Sequence, residues 1–351
     1  MVLEQLSVTA LRCIGQAELA LASGVNLVSG QNGSGKTSLL EAVYLLGRGR
    51  SFRSRSNEKL IQNGQAQLTV FGRLTGQGRG IGLRASREGP TEARIAAQPV
   101  KTLAELSAAF PVHVIDPDIH ALVEQGGQPR RRWLDWAVFH EEPSFLGQWM
   151  RYSRAVKQRN AALRAGRSDF GVWDTELVLA GEAVTTHRHR AMQGLSLYFA
   201  STCVALSGVS VDMSFQQGWV KDNSLEEALA ASRDRDIARG SSSSGPHRAD
   251  VTLRVEGRPA REVLSRGQQK LVAIALTLSQ IEFVRDQVGV LPTLLLDDPA
   301  AELDSDRLQE FIGRVRGLNT QLVVTSLHPD SALFGAPDAM FHVEHGTVKR
   351  V

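Results

Sequence analysis

The pattern of hydrophobic and polar residues predicts strands in two long stretches of the chain. Residues 3–29 are predicted to form strands joined by turns, and residues 66–115 to form mostly strands, with many glycines and a period-two alternation at residues 67–72. Residues 25–29, 293–296 and 321–325 contain short apolar runs, which are typical of strands buried in a parallel sheet. The pattern therefore predicts buried strands near both ends of the chain.

Other segments have the spacing of helices. Residues 36–46 and 271–281 carry apolar side chains three and four positions apart, which places those side chains on one helix face. From residue 129 to about 206, glycine becomes rare while Arg, Ala, Leu and Trp predominate, so this region is predicted to be a helical lobe. Residues 209–220 return to a strand pattern, and the serine-rich run 239–246 predicts a flexible loop.

The composition indicates a folded protein and excludes several classes. The 351 residues are 42% hydrophobic and 22% charged, which is enough for a substantial core and too apolar for a disordered chain. Cys13 and Cys203 alone cannot form a disulfide framework. No apolar run reaches the roughly 18–20 residues of a membrane span, and the N-terminus lacks the basic segment of a secretory signal. We therefore expect a cytoplasmic protein outside the membrane.

Residues 30–37 form the first chemically specific motif. The sequence GQNGSGKT fits the pattern G-x-x-x-x-G-K-[ST], with a predicted strand before it and a predicted helix after it. Backbone N–H groups of such a loop bind phosphate oxygens, and the helix N-terminus adds its dipole. Lys36 is expected to reach the β- and γ-phosphates of ATP, and the Thr37 hydroxyl to ligate Mg²⁺. The predicted nucleotide-binding residues are Gly30, Gln31, Asn32, Gly33, Ser34, Gly35, Lys36 and Thr37.

Two adjacent carboxylates follow the apolar run at 293–296. Asp297 and Asp298 would lie at the carboxyl end of a buried strand, where ligands of open α/β sheets bind. We expect Asp297 to hold Mg²⁺ and Asp298 to orient and deprotonate the attacking water, although the pair could simply cap a turn. Because 261 positions separate Lys36 from Asp297, most of the chain is inserted between the halves of one site. That spacing is typical of ATPase heads of the ABC class rather than of compact GTPases.

A third motif, LSRGQQK at residues 264–270, directly precedes the predicted helix at 271. It lies where the ABC class has its signature, and Asp304 lies where that class has its D-loop. In such heads the signature contacts the γ-phosphate bound by a second copy, through a serine hydroxyl and N–H groups at a helix N-terminus. Taken alone, the serine could be an ordinary N-cap. The residues predicted to act in trans are Ser265, Arg266, Gly267 and Gln268.

The chain resembles the RecF family of SMC-like ABC ATPases over essentially its whole length. Four strings more specific than the ABC motifs carry the resemblance: residues 33–53, 129–136, 157–163 and 245–250. It implies an α/β fold with an ABC-type P-loop ATPase head, in which mixed sheets surround the P-loop helix. That head would comprise residues 1–117 and 239–351, with a mainly helical second lobe, residues 118–238, inserted into it.

The resemblance also implies an activity. RecF-like proteins bind ATP and Mg²⁺, dimerise on ATP, and bind single-stranded, gapped or double-stranded DNA without sequence specificity. They are weak DNA-stimulated ATPases of the cytoplasm that act with RecR and RecO to help load RecA at gaps, in DNA repair, replication and the SOS response. The alternatives are an ABC-transporter subunit, which would need a clear Q-loop and sensor histidine, and a non-hydrolysing DNA-binding scaffold. Residues 116–118 lie near the expected Q-loop and His328 follows the last core strand, and both assignments stay open.

A local concentration of basic residues indicates where DNA would bind, although the net charge is only +3. Nine basic and three acidic residues lie between positions 130 and 167, and such a lobe can neutralise several phosphates. A solvated helix face can carry the same charges, so that alternative stays open. Aromatic residues do not interleave with this run, so we expect backbone contacts without base stacking. The residues predicted to contact DNA are Arg130, Arg131, Arg132, Arg151, Arg154 and Lys157.

Two further groups have more than one interpretation. Arg48, Arg50, Arg53 and Arg55 follow the nucleotide loop and could contact DNA, or one of them could contact ATP phosphates. Arg12, in the first pair of predicted strands, could do the same. His247 and Arg248 either hold a turn or couple the ATP state to the dimer interface.

Overall fold

The fold, taken from a computed structural model, contains both strands and helices along most of the chain. The structure describes residues 1–76, 79–167, 171–301, 303–328 and 333–351. The strands are β1 (Leu3–Leu11), β2 (Ile14–Ala20), β3 (Val25–Ser29), β4 (Gln67–Leu74), β5 (Gly80–Ser86), β6 (Glu92–Ile95), β7 (Gln98–Pro99), β8 (Val112–Ile115), β9 (Asp212–Gln216), β10 (Asp250–Val255), β11 (Arg258–Pro259), β12 (Thr293–Leu296), β13 (Leu322–Ser326), β14 (Ala339–Glu344) and β15 (Thr347–Arg350). The α-helices are α1 (Lys36–Arg48), α2 (Leu103–Ala109), α3 (Ala121–Glu124), α4 (Gly127–Glu141), α5 (Phe145–Arg164), α6 (Gly171–Ser207), α7 (Leu225–Ala231), α8 (Arg233–Arg239), α9 (Ala260–Val263), α10 (Arg266–Val288) and α11 (Ser305–Gly317).

The chain divides into two compact units. The first comprises residues 1–119 and 290–351, and the second comprises residues 120–289. The first boundary lies close to the predicted one after residue 117. The second lies after Gly289 rather than after residue 238, because α10 packs against α4 and α6. The signature segment therefore packs with the helical unit, whereas the sequence analysis assigned it to the ATPase lobe.

Two sheets with α1 between them form the core of the first unit. One sheet is antiparallel with the strand order β2-β1-β4-β5-β6-β7, and the other is mixed with the order β15-β14-β3-β13-β12-β8. Leu39, Leu40 and Val43 of α1 belong to one apolar cluster with Val8 of β1 and Val323 of β13. Burial of these apolar side chains thus fixes α1 between the two sheets.

Four neighbouring strands of the mixed sheet end at one edge. β3, β13, β12 and β8 are parallel neighbours in that order. Residues that directly follow these strands, among them Gly30, Asp297 and Asp116, therefore lie at the same carboxyl edge. This topology brings together segments that are far apart in the sequence.

Helices dominate the second unit, and a small sheet with the order β11-β10-β9 completes it. The predicted helical region 129–206 is observed as α4, α5 and α6. Side chains also join these elements through polar contacts. Trp133 Nε1 of α4, for example, donates to the carbonyl oxygen of Leu276 in α10 at 3.0 Å.

The serine-rich run 239–246 differs from the flexible loop that was predicted. Ser242 is completely buried, and its hydroxyl accepts a hydrogen bond from Arg159 Nη1 at 2.8 Å. Arg159 also pairs with Asp174 and Asp236, at 2.7 and 2.8 Å. We call Arg159, Asp174, Asp236 and Ser242 the arginine network. The segment is held in place because buried polar groups need partners, and side-chain and backbone groups of this loop supply them.

No helix in the described ranges is both long and apolar enough to cross a bilayer.

Candidate functional site

The glycine loop leads from β3 into α1 with its backbone exposed to a cleft. Gly35, directly before α1, has φ 120°, and a Cβ there would lie 3.0 Å from Cys13 Sγ. Gly30 has φ 153°, and a Cβ there would collide with the carbonyl oxygen of Val343. Among the described residues no side chain caps the N-terminus of α1. The first N–H groups of this helix therefore remain available to an anion.

Lys36 is buried beneath the loop and bonds to its carbonyl groups. Its Nζ donates to Gly30 O at 2.6 Å and to Gln31 O at 3.0 Å. Burial lowers the pKa of Lys36 below its ordinary value, and the charges of Asp298 and Asp297 oppose this shift. The ammonium group is thus held beside the two carboxylates and the loop.

Thr37 and Asp297 meet at the carboxyl edge of the mixed sheet. Thr37 Oγ1 donates to the Asp297 carboxylate, 3.0 and 3.1 Å from its two oxygens. The described residues contain no group of three or more His, Cys, Asp or Glu that could hold a metal. One hydroxyl and one carboxylate nevertheless fit Mg²⁺, which prefers oxygen ligands and usually takes the rest from water and phosphate.

Thr325, at the end of β13, holds both aspartates and was missed by the sequence analysis. Its hydroxyl donates to Asp297 Oδ1 at 2.8 Å and accepts from the backbone N–H of Asp298 at 2.9 Å. Asp298 has a positive φ of 48°, which turns the chain sharply at this point. No local pattern could have indicated this role, because it depends on the parallel register that pairs Leu296 with Val324 and so places Thr325 beside Asp297.

Two arginines line the cleft, as the sequence analysis allowed. The cleft has a volume of about 360 Å³ and is lined by Arg12 and Arg53 together with the loop, Asp297 and Asp298. Arg12 Nη2 donates to Glu41 at 2.9 Å, and its Nε pairs with the same carboxylate. Glu41 is completely buried in α1 and also accepts from Ser51 Oγ at 2.5 Å. The buried carboxylate therefore fixes the Arg12 guanidinium at the cleft wall.

Of residues 116–118, near the expected Q-loop, Pro117 lines the cleft. Burial, together with the charges of Asp118 and Asp297, raises the pKa of Asp116 to about 6. His328, by contrast, is exposed, and the lining residues of the cleft do not include it in the described part of the chain.

The signature residues begin α10. Ser265 is the N-cap, and its hydroxyl accepts from the backbone N–H of Gln268 at 3.3 Å. Gln268 Oε1 accepts in return from Ser265 N at 3.0 Å, which completes a capping box. Ser265, Arg266 and Gly267 are exposed. The structure thus shows the ordinary cap and leaves the tip of a 23-residue helix on the surface.

Asp304 has a local role of the same kind. It is the N-cap of α11, and its side chain accepts from Arg307 N at 3.0 Å. Glu302, two positions before Asp304, lies outside the described residues.

The residues predicted to contact DNA divide into buried and exposed groups. Arg130 is 8% exposed, pairs with Asp250 at 2.9 Å and donates to Gln125 O at 2.7 Å. Arg131 donates to the carbonyl oxygen of Ala249, and Arg151 pairs with Glu176 on the surface. Arg132, Arg154 and Lys157 are exposed. Arg130 thus serves the fold, because a buried, fully paired guanidinium is unsuited to bind phosphate.

Comparison with known proteins gives matches over the whole chain. The family model described as "RecF/RecN/SMC N terminal domain" matches residues 2–349. The chain is 41% identical to the DNA replication and repair protein RecF of Shewanella baltica (strain OS155), over 99% of each chain. It is 40% identical to the RecF of Shewanella oneidensis, again over 99% of each chain.

Solved structures give the same result for the fold. The recombination mediator protein RecF-ATP in the RecFOR pathway has a TM-score of 0.89 at 24% identity and covers 100% of this chain and 97% of that chain. An Smc head bound to the C-winged helix domain of ScpA has a TM-score of 0.61 at 15% identity, with coverage of 100% and 97%. The predicted fold, an ABC-type ATPase head with a helical lobe, is therefore confirmed.

Proposed function

The chain belongs to the RecF family, whose relatives are named DNA replication and repair proteins, and from that premise we propose that it is an ATP-dependent DNA-binding protein of recombinational repair. One observation supports this most directly. Thr37 Oγ1 and the Asp297 carboxylate, 260 residues apart in the sequence, lie 3.0 Å apart beside the glycine loop. A phosphate-binding loop with an adjacent hydroxyl and carboxylate is the arrangement that ATP with Mg²⁺ requires.

ATP would bind with its phosphates on the glycine loop, residues 30–37. The Lys36 ammonium group would give up its hydrogen bonds to the carbonyl oxygens of Gly30 and Gln31 and bond to the β- and γ-phosphates instead. Thr37 and Asp297 would hold Mg²⁺. Arg12 and Arg53 line the same cleft and can contact phosphate oxygens. Bound Mg²⁺ would supply charge stabilisation at the phosphates.

Hydrolysis would be slow and would depend on Asp298. Its carboxylate would orient the attacking water and accept its proton, while Lys36 stabilises the negative charge on the phosphate. Asp298 is held by its N–H bond to Thr325 at 2.9 Å. The position of the base therefore depends on a side chain of the neighbouring strand.

ATP would also bring two copies together. The exposed tip of α10 offers helix N–H groups and the Ser265 hydroxyl to the triphosphate of a second copy. Ser265 Oγ accepts from Gln268 N and still has its own proton to donate to a phosphate oxygen. Arg266, Gly267 and Gln268 would complete this contact in trans, and Asp304 would lie in the D-loop.

The dimer would bind single-stranded, gapped or double-stranded DNA and act with mediators of the RecR and RecO type. Arg132, Arg154 and Lys157 are exposed in the helical unit and can approach DNA phosphates. A related RecF structure is described as part of the RecFOR pathway. We place the protein in cytoplasmic gap repair, where it would help load RecA.

Two substitutions separate nucleotide binding from dimerisation. Lys36→Met removes a charged hydrogen bond to phosphate and should weaken ATP binding about 100-fold. Ser265→Arg should leave ATP affinity of the monomer unchanged and block dimerisation, because a long side chain then occupies the tip of α10. Equilibrium binding of a fluorescent ATP analogue and sedimentation without nucleotide, with ADP and with ATP measure the two effects.

The control is a substitution on the same helix away from its tip, Arg285→Gln, which should dimerise like the wild type. A Ser265→Arg protein that sediments as a dimer with ATP would contradict contact in trans. A wild-type protein that stays monomeric when saturated with ATP and Mg²⁺, yet binds gapped DNA fully, would overturn the ATP-dependent dimer.

A further inference from the structure

The second unit contains a pocket that the sequence motifs did not indicate. Its volume is about 460 Å³, and its lining includes His189, Phe215, Trp219, Lys221 and Arg248. Pockets of this size accommodate small organic ligands or parts of larger ones. It combines aromatic rings with cationic side chains, which the sequence analysis did not find together because these residues are scattered between positions 189 and 248.

The charges of this pocket have one sign. Lys221 and Arg248 are cationic, and no aspartate or glutamate is among the described residues that line it. Lys221 and Arg248 are both exposed. Arg248 uses Nη2 to donate to Ser242 O at 3.1 Å and has further N–H donors. The pocket therefore favours an anion.

Its aromatic rings are held in place by neighbouring groups and remain partly exposed. The ring of His189 packs edge-on against Phe215 at 4.8 Å between centroids and 89° between planes. Trp219 Nε1 donates to Asn223 O at 2.9 Å, which fixes the edge of the indole. Both Phe215 and Trp219 remain half-exposed. A planar group can therefore stack here without displacing a core side chain.

The wall of the pocket is built before any ligand binds. Gln217 Nε2 donates to Val220 O at 3.2 Å and to Lys221 O at 3.4 Å, which closes the turn carrying Trp219. Gly218 of this turn packs closely against the loop that carries Arg248. Its φ is 97°, and a Cβ at this position would collide with the carbonyl oxygen of Gly245. A preformed site loses less free energy to ordering when it binds.

The loop that carries Arg248 is itself anchored in the interior. Tyr152 donates its hydroxyl proton to His247 Nδ1 at 2.5 Å, and His247 Nε2 donates to Ser242 O at 3.1 Å. Arg188, which is completely buried, donates to Pro246 O at 2.8 Å. His247 thus holds the turn, as one of the two sequence interpretations stated, and Arg248 projects from it into the pocket.

We propose that this pocket binds one nucleotide unit of single-stranded DNA, with the unpaired base against Phe215 and Trp219 and the adjacent phosphate at Lys221 and Arg248. The inference rests on the proposed DNA-binding function and makes it more specific. Cationic grooves with aromatic platforms are the general means of holding unpaired bases, and each stacked base adds substantially to affinity. A paired base in a duplex cannot stack in this way, so the pocket would distinguish the single-stranded part of a gap.

The test compares strands with and without bases. Fluorescence anisotropy with ATP and Mg²⁺ measures binding of the full chain to an oligothymidylate, to an abasic strand with the same phosphates, and to a duplex of equal length. The wild type should bind oligothymidylate about tenfold more tightly than the abasic strand. Phe215→Leu should abolish this preference, whereas Lys221→Glu should weaken binding to both strands and reduce the salt dependence.

Matched controls exclude general effects. Arg239→Glu reverses a similarly exposed charge in the second unit, and Phe71→Leu removes a partly exposed ring from a strand of the first unit. Both should bind like the wild type, and thermal unfolding should show all four variants folded. A strand containing 5-iodouracil should cross-link on illumination to the peptide that contains Phe215 or Trp219.

The possible failures are distinguishable. If the wild type binds no DNA, the proposed function fails and this inference fails with it. If it binds DNA but Phe215→Leu keeps the full base preference, only the inference is overturned. If inorganic phosphate alone displaces oligothymidylate, the pocket binds a free anion. If Lys221→Glu weakens binding to the duplex as much as binding to the single strand, the pocket binds the DNA backbone. Either result overturns the proposal.

Discussion

The cleft of the first unit, beside the glycine loop, and the arginine network of the second use the same types of side chain for opposite purposes. In the cleft, Arg12 and Arg53 line an open cavity. In the network, Arg159 is 1% exposed and its guanidinium bonds to two carboxylates and a serine. A charge that is fully paired inside a fold joins backbone segments, whereas one held at a cavity wall keeps hydrogen-bonding capacity for a ligand.

The difference matters because the sequence presents both groups as basic residues of the same kind. Arg130, Arg154 and Arg159 lie within one charged run, yet only Arg154 is exposed. Arg12 combines both roles, since buried Glu41 holds it while its surface faces the cleft. The partner of a charged side chain, rather than its place in a run, decides its function.

The largest expected effect comes from breaking the arginine network. Asp236 is completely buried and accepts from Arg159, from Ser243 N at 2.9 Å and from Ser243 Oγ at 2.6 Å. Asp236→Ala leaves a buried guanidinium short of one carboxylate and should lower the free energy of unfolding by about 3–5 kcal/mol. Urea denaturation measures the loss.

The matched control for Asp236→Ala is an exposed pair in the same unit. Arg151 and Glu176 are 52% and 39% exposed, so Arg151→Ala should change the free energy of unfolding far less than Asp236→Ala does. Equal losses in the two variants would contradict the distinction between network and surface charges.

An intermediate effect is expected when the pH is lowered. Burial, as the main cause, lowers the pKa of His247 to about 4, against 6.5 for an unperturbed histidine. Below pH 6.5 the unfolded chain binds a proton at this histidine, whereas the folded chain binds it only near pH 4. The contribution of His247 to the free energy of unfolding is therefore fully present above pH 6.5 and is lost as the pH falls toward 4. Between pH 7 and pH 5 the loss from this residue should be about 2 kcal/mol.

Other groups also titrate in this range, including Asp116 with its raised pKa of about 6. The measurement is therefore the difference between the wild type and His247→Asn in urea denaturation at the two pH values. The variant should be less stable than the wild type at pH 7, and this difference should shrink at pH 5. A difference that does not change with pH would show that His247 does not titrate as its burial implies.

The smallest effect is expected in the cleft, from the residue that positions the two aspartates. Thr325→Val keeps the size of the side chain but removes its bonds to Asp297 and to the N–H of Asp298. We expect kcat for ATP hydrolysis to fall about tenfold, because the base and the Mg²⁺ ligand lose their orientation, with ATP affinity nearly unchanged. Steady-state phosphate release and equilibrium ATP binding separate the two quantities.

Thr325→Ser keeps the hydroxyl and loses only the methyl group, so this variant should keep most of the wild-type kcat. If the methyl group mattered only for packing, Thr325→Ser would lose kcat instead. If Thr325→Val loses ATP affinity and kcat equally, Thr325 acts on binding rather than on the geometry of the aspartates.

The nucleotide motif and its neighbouring acids could be predicted from the sequence with their elements. The apolar run before Asp297 and the helical spacing after Lys36 are local patterns, and β12 and α1 are observed where they predict. Thr325 was not predicted, because its role depends on parallel pairing of two strands distant in sequence. The packing of α10 with the helical unit, and the burial of Ser242 in a run of serines, likewise depend on contacts that no local pattern contains.

The sequence by itself determined the elements beside the motifs, such as β12 before Asp297 and α1 from Lys36, because local spacing of apolar residues and glycines sets helix, strand and turn. It did not determine every element, since α2 lies within a stretch that was predicted to form strands. Only the tertiary structure decided which charges are paired and which face a cavity. Arg159 and Arg248 have the same side chain, but one lies between Asp174 and Asp236 and the other beside Phe215 and Trp219 at a pocket wall. The physical reason is that hydrogen bonding and desolvation depend on neighbours in space, and folding brings these together from distant parts of the chain.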